Sequence, residues 1–209
     1  MAEEETSLAP AASIVVMGVA GCGKTSVGAA LARSLRWPFI EGDAHHSPSS
    51  IAKMQAGQAL TDEDRWGWLD RLGALLQAPG PVVLSCSALK RAYRDRLRTA
   101  HPPLQFVYID ISRDLALARV TARAAGHIFP ASLVESQFAT LESPVGEAGV
   151  MTVSAELALE DQLQSILAQR LAQPVQRPDA ATGATDAAAA AAAASSSALP
   201  HSSSPETGP

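Results

Sequence analysis

Eight residues near the start of the chain, Gly18-Val19-Ala20-Gly21-Cys22-Gly23-Lys24-Thr25, meet the spacing G-x-x-x-x-G-K-[ST] at every fixed position. That spacing carries phosphate chemistry. The glycines let the backbone close around an anion with its N–H groups turned inward. A helix that starts at the end of such a loop adds unpaired amides and the positive end of its dipole. The Lys24 ammonium then reaches the β- and γ-phosphates of a nucleotide, and the Thr25 hydroxyl offers an oxygen to Mg²⁺. A glycine-rich turn with no ligand has no use for the Lys-Thr pair. All eight residues are therefore candidate ATP contacts, with Lys24 also catalytic and Thr25 also a metal ligand.

The elements around the loop fit that role. The apolar run Ile14-Val15-Val16-Met17 precedes it, and Ser26 to Leu35 follows with Val27, Leu31 and Leu35 on one helical face. Strand, glycine loop and helix form the context the motif requires. Further strands are expected at Phe39–Glu41, Val82–Ser85, Phe106–Ile109 and Val150–Val153. Helices are expected at 49–56, 62–77 (with Thr61 as N-cap), 89–99, 115–125, 133–141 and 156–171, with a break at Gly126–Pro130. Strands alternating with helices predict an α/β domain, a five-stranded parallel sheet covered on both faces.

The chain has 209 residues, enough for one such domain with tails. Residues 1–12 read as a flexible acidic arm and 13–172 as the domain. From Gln173 the composition collapses to alanine, serine and proline, with eight consecutive alanines at Ala187–Ala194, and 173–209 reads as disordered. A net charge of −5 argues against nucleic acid as a partner. Cys22 and Cys86 share no metal or redox spacing and read as buried or half-buried free thiols. The acidic start Ala2-Glu3-Glu4-Glu5 disfavours a presequence, and no apolar run is long enough for a bilayer. A soluble cytoplasmic protein is expected.

The loop alone does not choose among kinase, GTPase and motor ATPase. Asp70-Arg71-Leu72-Gly73 matches the D-x-x-G of a GTPase only in mid-helix, and the guanine-binding [NT]-K-x-D is absent. Ser87-Ala88-Leu89 is too short a fragment to stand for a guanine loop. Phe106–Ile109 followed by Asp110 has the form of the Mg²⁺-binding strand of a motor, but the chain is short for a motor's added lobes. A compact small-molecule kinase fits the length.

Four further segments carry a family likeness. They are Gly42-Asp43 with His46; Lys53-Met54 through Gly57, Leu60, Asp62, Asp64-Arg65 and Trp68; Cys86-Ser87-Ala88-Leu89-Lys90 with Tyr93-Arg94-Asp95, Leu97 and Arg98; and His127, Phe129-Pro130, Leu133, Ser136-Gln137-Phe138, Thr140-Leu141-Glu142 and Pro144. On these, the chain resembles the gluconate kinases (gluconokinases) from about Ile14 to Leu171. The resemblance implies a phosphate-loop kinase fold with a short lid, transfer of the ATP γ-phosphate to the C6 hydroxyl of D-gluconate, and a homodimer. Departures cluster near acceptor and lid: Ser47 intervenes between His46 and Pro48, Ser50 stands where asparagine is expected, Gly67 and Ile128 replace a proline and a phenylalanine, and Arg123–His127 is one residue longer.

Roles follow for single residues, each beside a plainer reading. Asp43, after the second strand, can hydrogen-bond the sugar hydroxyl and take its proton, or simply form a turn after Gly42. His46 is either a polyol hydrogen-bonder or a surface histidine. Arg65 is a clamp for the gluconate carboxylate, or a solvated helix arginine paired with Asp62 or Asp64. Those two acids read as helix N-terminal charges. Lys90, Arg94 and Arg98 form a basic ridge whose ordinary role is a solvated face, with Lys90 the member placed to touch substrate and Tyr93 in the core. Arg123 is assigned to phosphate and Arg119 to the base, on the helix leading into the lid. Gln137 and Glu142 read as structural residues of the helix after it. The alternatives to gluconate phosphorylation are a kinase of another small hydroxy acid, such as shikimate, and a non-catalytic nucleotide-binding regulator.

Overall fold

The computed structural model describes residues 12–102, 104–123 and 132–172. The expected arm, the break at 126–130 and the tail from 173 onward lie outside these residues, apart from Ala12. The element order is β1 (Ile14–Met17), α1 (Lys24–Leu35), β2 (Phe39–Glu41), a 3-10 turn (Gly42–His45), α2 (Pro48–Gln55), α3 (Asp62–Leu76), β3 (Val83–Ser85), α4 (Arg91–Ala100), β4 (Gln105–Asp110), α5 (Arg113–Ala122), α6 (Ser132–Thr140), β5 (Val150–Ser154) and α7 (Leu159–Ala172).

The five strands are parallel in the order β2-β3-β1-β4-β5. β1 is buried on both faces, which explains its unbroken apolar run. Its side chains divide by parity. Ile14 and Val16 join Val83, Val107 and Ile109 under residues of α1, α5 and α7, among them Leu31, Val120 and Ile166. Val15 and Met17 join Leu84, Phe106 and Tyr108 under Trp68, Leu69, Leu72 and Leu76 of α3 and Tyr93 and Leu97 of α4. Each face of the sheet thus has its own helical cover, the α/β arrangement anticipated from the alternation of elements.

Helix starts are set by local chemistry. Thr61 and Asp64 form a reciprocal capping box at α3. Ser47 caps α2, its Oγ accepting from Ser50 N at 3.1 Å, and Pro48 occupies the first helical position. The additional residue between His46 and Pro48 is thus a helix cap. Ser112 caps α5, which starts at Arg113, two residues before the expected start. α4 begins at Arg91 rather than Leu89, leaving Lys90 as its N-cap, and α7 begins at Leu159 rather than Glu156.

Two expectations are corrected. The basic ridge of α4 is not a solvated face. Arg94 is completely buried, donating from Nη1 to the carbonyls of Ala88 and Leu89, both at 3.0 Å, and from Nε to Glu147 at 3.0 Å. Glu147 also takes Nη2 of Arg98 at 3.1 Å. Glu142 lies beyond the end of α6 and accepts from Arg91 N at 2.6 Å.

A candidate active site at the ends of strands one, two and three

The loop after β1 divides its amides between two duties. Gly18 N donates to Ser87 O at 3.4 Å, Cys22 N to Val19 O at 3.3 Å, and Ala20 N to Gln137 Oε1 at 2.6 Å. The amides of Gly21, Gly23 and Thr25 find no backbone acceptor among the described residues, while the Lys24 amide lies against the buried Cys22 sulfur. Lys24 and Thr25 open α1, where no side chain caps the helix. Amides left over at a helix N-terminus make an anion nest. Gly21 is required there on two counts. Its φ is +83°, and a Cβ would stand 2.7 Å from the Ala116 carbonyl oxygen. Lys24 Nζ folds back on Val19 O at 3.2 Å, holding its charge at the leading edge of the loop. Cys22 is buried, and burial raises the pKa of its thiol.

The nest opens into a cleft of about 380 Å³. Its walls carry Lys24, Thr25, Glu41, Asp43, His46, Arg65, Ser87, Arg123 and Gln137, with an apolar side from Ile51, Met54, Leu60 and Leu133. The last four form a small cluster of their own between α2 and α6. Six of the candidate site residues outside Gly18–Gly23 therefore converge: Lys24, Thr25, Asp43, His46, Arg65 and Arg123. Lys90 and Arg119 do not line the cleft. Lys90 Nζ pairs with Asp62 at 2.7 Å, and Asp62 also accepts from Tyr93 Oη at 2.6 Å. Arg119 braces the loop from behind, donating to Ala155 O at 2.8 Å and Gly21 O at 3.4 Å.

The 3-10 turn after β2 delivers Asp43 and His46. It fits only because residue 42 is glycine: a Cβ there would lie 2.1 Å from Ser85 O. Trp68 Nε1 donates to Gly42 O at 2.8 Å and anchors the turn from α3. Asp43 is half exposed at the cleft mouth, its Oδ1 4.0 Å from His46 Nε2. His46 is not a surface residue. It is 8 % exposed, and its Nδ1 has no partner among the described residues. Burial, then the charges of Arg65 and Arg71, push its pKa down to about 4, so the ring is neutral at pH 7.

Arg65 is likewise not a solvated helix arginine. It is 8 % exposed, and the acids that would pair with it are engaged elsewhere: Asp62 with Lys90, and Asp64 with Lys53 at 2.6 Å. Its guanidinium carbon sits 5.7 Å from the Tyr93 ring centroid, and Nε has no hydrogen-bond partner. A buried guanidinium without an acceptor is costly unless an anion completes it.

Two cleft residues escaped the sequence reading. Glu41 Oε2 accepts from Thr25 Oγ1 at 2.6 Å, while its other oxygen takes the Ser85 hydroxyl. The carboxylate beside Thr25 thus comes from the end of β2. Asp110, at the end of β4, instead accepts from Tyr108 Oη at 3.1 Å. The only signal for Glu41 was its place two residues before Asp43. The sequence alone makes Gln137 a structural residue of its helix, yet it reaches 117 residues back to accept from Ala20 N. Nothing local announces such a contact. Among the described residues no group of three His, Cys, Asp or Glu could cage a metal. A hydroxyl and a carboxylate beside a phosphate nest suit Mg²⁺, which kinases hold with one or two side chains and the substrate's phosphates.

Comparison with known proteins agrees with this geometry. A family model described as an AAA domain, a class of phosphate-loop proteins, matches residues 14–144. The gluconokinase of Gluconobacter oxydans is 48% identical over 161 residues, covering 75% of this chain and 90% of that protein. A probable gluconokinase of Schizosaccharomyces pombe is 42% identical over 164 residues, covering 73% and 84%. A crystal structure of a gluconokinase from Sinorhizobium meliloti superposes with a TM-score of 0.72 at 48% identity, covering 78% of this chain and 94% of that one. A phosphate nest, a buried unpaired guanidinium in the same cleft, and relatives of this similarity over most of their length place the chain in the gluconokinase family of phosphate-loop kinases.

Proposed function

We propose that the chain transfers the γ-phosphoryl group of ATP to the C6 hydroxyl of D-gluconate, giving 6-phospho-D-gluconate and ADP. The observation that carries the acceptor assignment is Arg65, a buried cation with no protein anion, which lines the same cleft as the phosphate nest. It fits the carboxylate of an open-chain sugar acid by charge-assisted pairing. His46, neutral and with a free ring nitrogen, supplies a hydrogen bond to the polyol.

Asp43 is the acid placed to accept the C6 hydroxyl proton. As the O6–P bond forms, the bond from phosphorus to the β-phosphate bridging oxygen breaks, the proton passes to the Asp43 carboxylate, and ADP leaves. The nest amides and Lys24 hold the β- and γ-phosphates in line, and Arg123 at the cleft edge meets charge on the transferring group. Thr25, with Glu41 behind it, would hold Mg²⁺, which when bound neutralises phosphate charge. We further propose a cytoplasmic homodimer, as the family resemblance implies. Among the described residues, no helix is long and apolar enough to cross a membrane.

Coupled ADP release, measured across gluconate, shikimate, glycerate and nucleoside monophosphates, tests the reading. Turnover on gluconate is expected. Turnover on shikimate alone, or nucleotide binding without turnover on any acceptor, overturns it. The relatives, named as gluconokinases, favour neither outcome.

A further inference from the structure

We propose that Gln137 is a ligand of the γ-phosphate, held in one orientation by the phosphate loop itself. This rests on the kinase reading above. The side chain crosses from α6 to the loop, where Oε1 accepts from Ala20 N at 2.6 Å. It is 7 % exposed and lines the cleft with Gly21, Lys24 and Arg123.

A carboxamide has one accepting end and one donating end. A backbone N–H can only donate, so the oxygen must face Ala20, and the amide cannot be flipped without leaving that N–H against another donor. The NH₂ group is therefore the end left over, and it makes no hydrogen bond to any described residue. Its place along the triphosphate follows from the loop. The nest amides of Gly23 and Thr25 lie at the helix end, while Lys24 Nζ rests by Val19 O at the leading edge. In this motif the lysine reaches the β- and γ-phosphates. The edge formed by Val19 and Ala20 is thus the γ-phosphate end, and Gln137 stands at Ala20. It adds two N–H donors there without adding charge.

Substitution separates this role from mere bracing of the loop. Gln137→Glu keeps an acceptor for Ala20 N and keeps the side chain's size, but it replaces the donors with a carboxylate. Gln137→Met removes donors and acceptor without adding charge. Affinities for ADP and for a non-hydrolysable imido analogue of ATP, with Mg²⁺ present, are measured by calorimetry alongside turnover on gluconate. For Gln137→Glu the expected result is ADP binding within about threefold of the parent, analogue binding weakened more than tenfold, and kcat reduced roughly 100-fold, as for loss of one preorganised donor. Gln137→Met is expected to reduce kcat and to narrow the preference for the analogue over ADP.

If Gln137→Glu matches the parent in both affinities and in kcat, or loses both nucleotides equally, the glutamine only braces the loop and the proposal fails. If Gln137→Glu does not fold, the analogue-to-ADP ratio of Gln137→Met decides. The nucleotide measurements need no acceptor, so a failure of gluconate turnover in the parent leaves this test intact.

Discussion

His46 lies flat on Trp68, with ring centroids 4.2 Å apart and planes 14° from parallel. Trp68 is itself fastened to the carbonyl of Gly42. The stack therefore fixes the acceptor-side turn to α3 and keeps the histidine out of water. Its pKa in the folded chain, about 4, is below the ordinary 6.5. The unfolded chain thus binds the extra proton first. Stability falls as pH drops below 6.5, and the loss is complete near pH 4.

The expected size of that loss is roughly 3 kcal/mol at its limit. Thermal unfolding at pH 7 and pH 4.5 should show the parent losing about 5–10 °C more than His46→Phe, which keeps the stack but cannot titrate. Equal losses would mean that the ring protonates freely in the native state.

Arg65→Lys keeps a charge but loses the planar fork. The KM for gluconate should rise roughly 10- to 100-fold, the worth of a charged hydrogen bond. The KM for ATP should change little. Steady-state kinetics with each substrate varied in turn will separate the two. A rise confined to ATP would move Arg65 to the nucleotide.

Lys24→Ala should reduce kcat by about 100-fold or more while the far-ultraviolet circular dichroism stays unchanged, because the side chain projects from the loop without packing in the core. Turnover at the parent's rate would remove Lys24 from the reaction.

Glu41→Gln weakens the carboxylate that accepts from Thr25. The Mg²⁺ concentration for half-maximal rate should rise about tenfold, the usual effect of losing a partner behind a metal ligand. A chelator in excess should abolish turnover, and added Mg²⁺ should restore it.

Glu147→Leu strands the buried Arg94 guanidinium. A destabilisation of about 3–5 kcal/mol is expected, read as a fall in Tm of roughly 10 °C or more. Replacing both residues, Arg94→Met with Glu147→Leu, should recover much of it, because two apolar side chains leave no unpaired charge. Below the ordinary carboxylate range the pair weakens. The hydrogen bond from Arg94 holds the Glu147 pKa low, so its stabilisation is present above the ordinary value of 4.5 and is lost as pH falls through the lowered one.

The phosphate loop and the order of elements were legible because their determinants are local. A glycine spacing, a capping threonine at Thr61 and the apolar run of β1 each declare themselves within a few residues. Arg94 was misread for the opposite reason. Three basic residues one turn apart describe a wet helix face until Glu147, 53 positions from Arg94, is known to meet two of them, Arg94 and Arg98. His46 was left open between cleft and surface because nothing adjacent to it reveals Trp68. Glu41 was hidden by its place at the end of a strand, where it read as backbone geometry rather than chemistry. Gln137 needed the tertiary fold to meet Ala20. Residues whose roles depend on a distant partner were the ones the chain did not disclose.

Both thiols of the protein, in Cys22 and Cys86, are shut away from solvent, and burial drives the Cys86 thiol up to about 12. In the native state they should be inert to maleimides and to peroxide. Only molecules that have opened around these thiols can be alkylated. The speed at which such a reagent is consumed would then count spontaneous openings of the domain, giving a clock for its breathing that needs no introduced label.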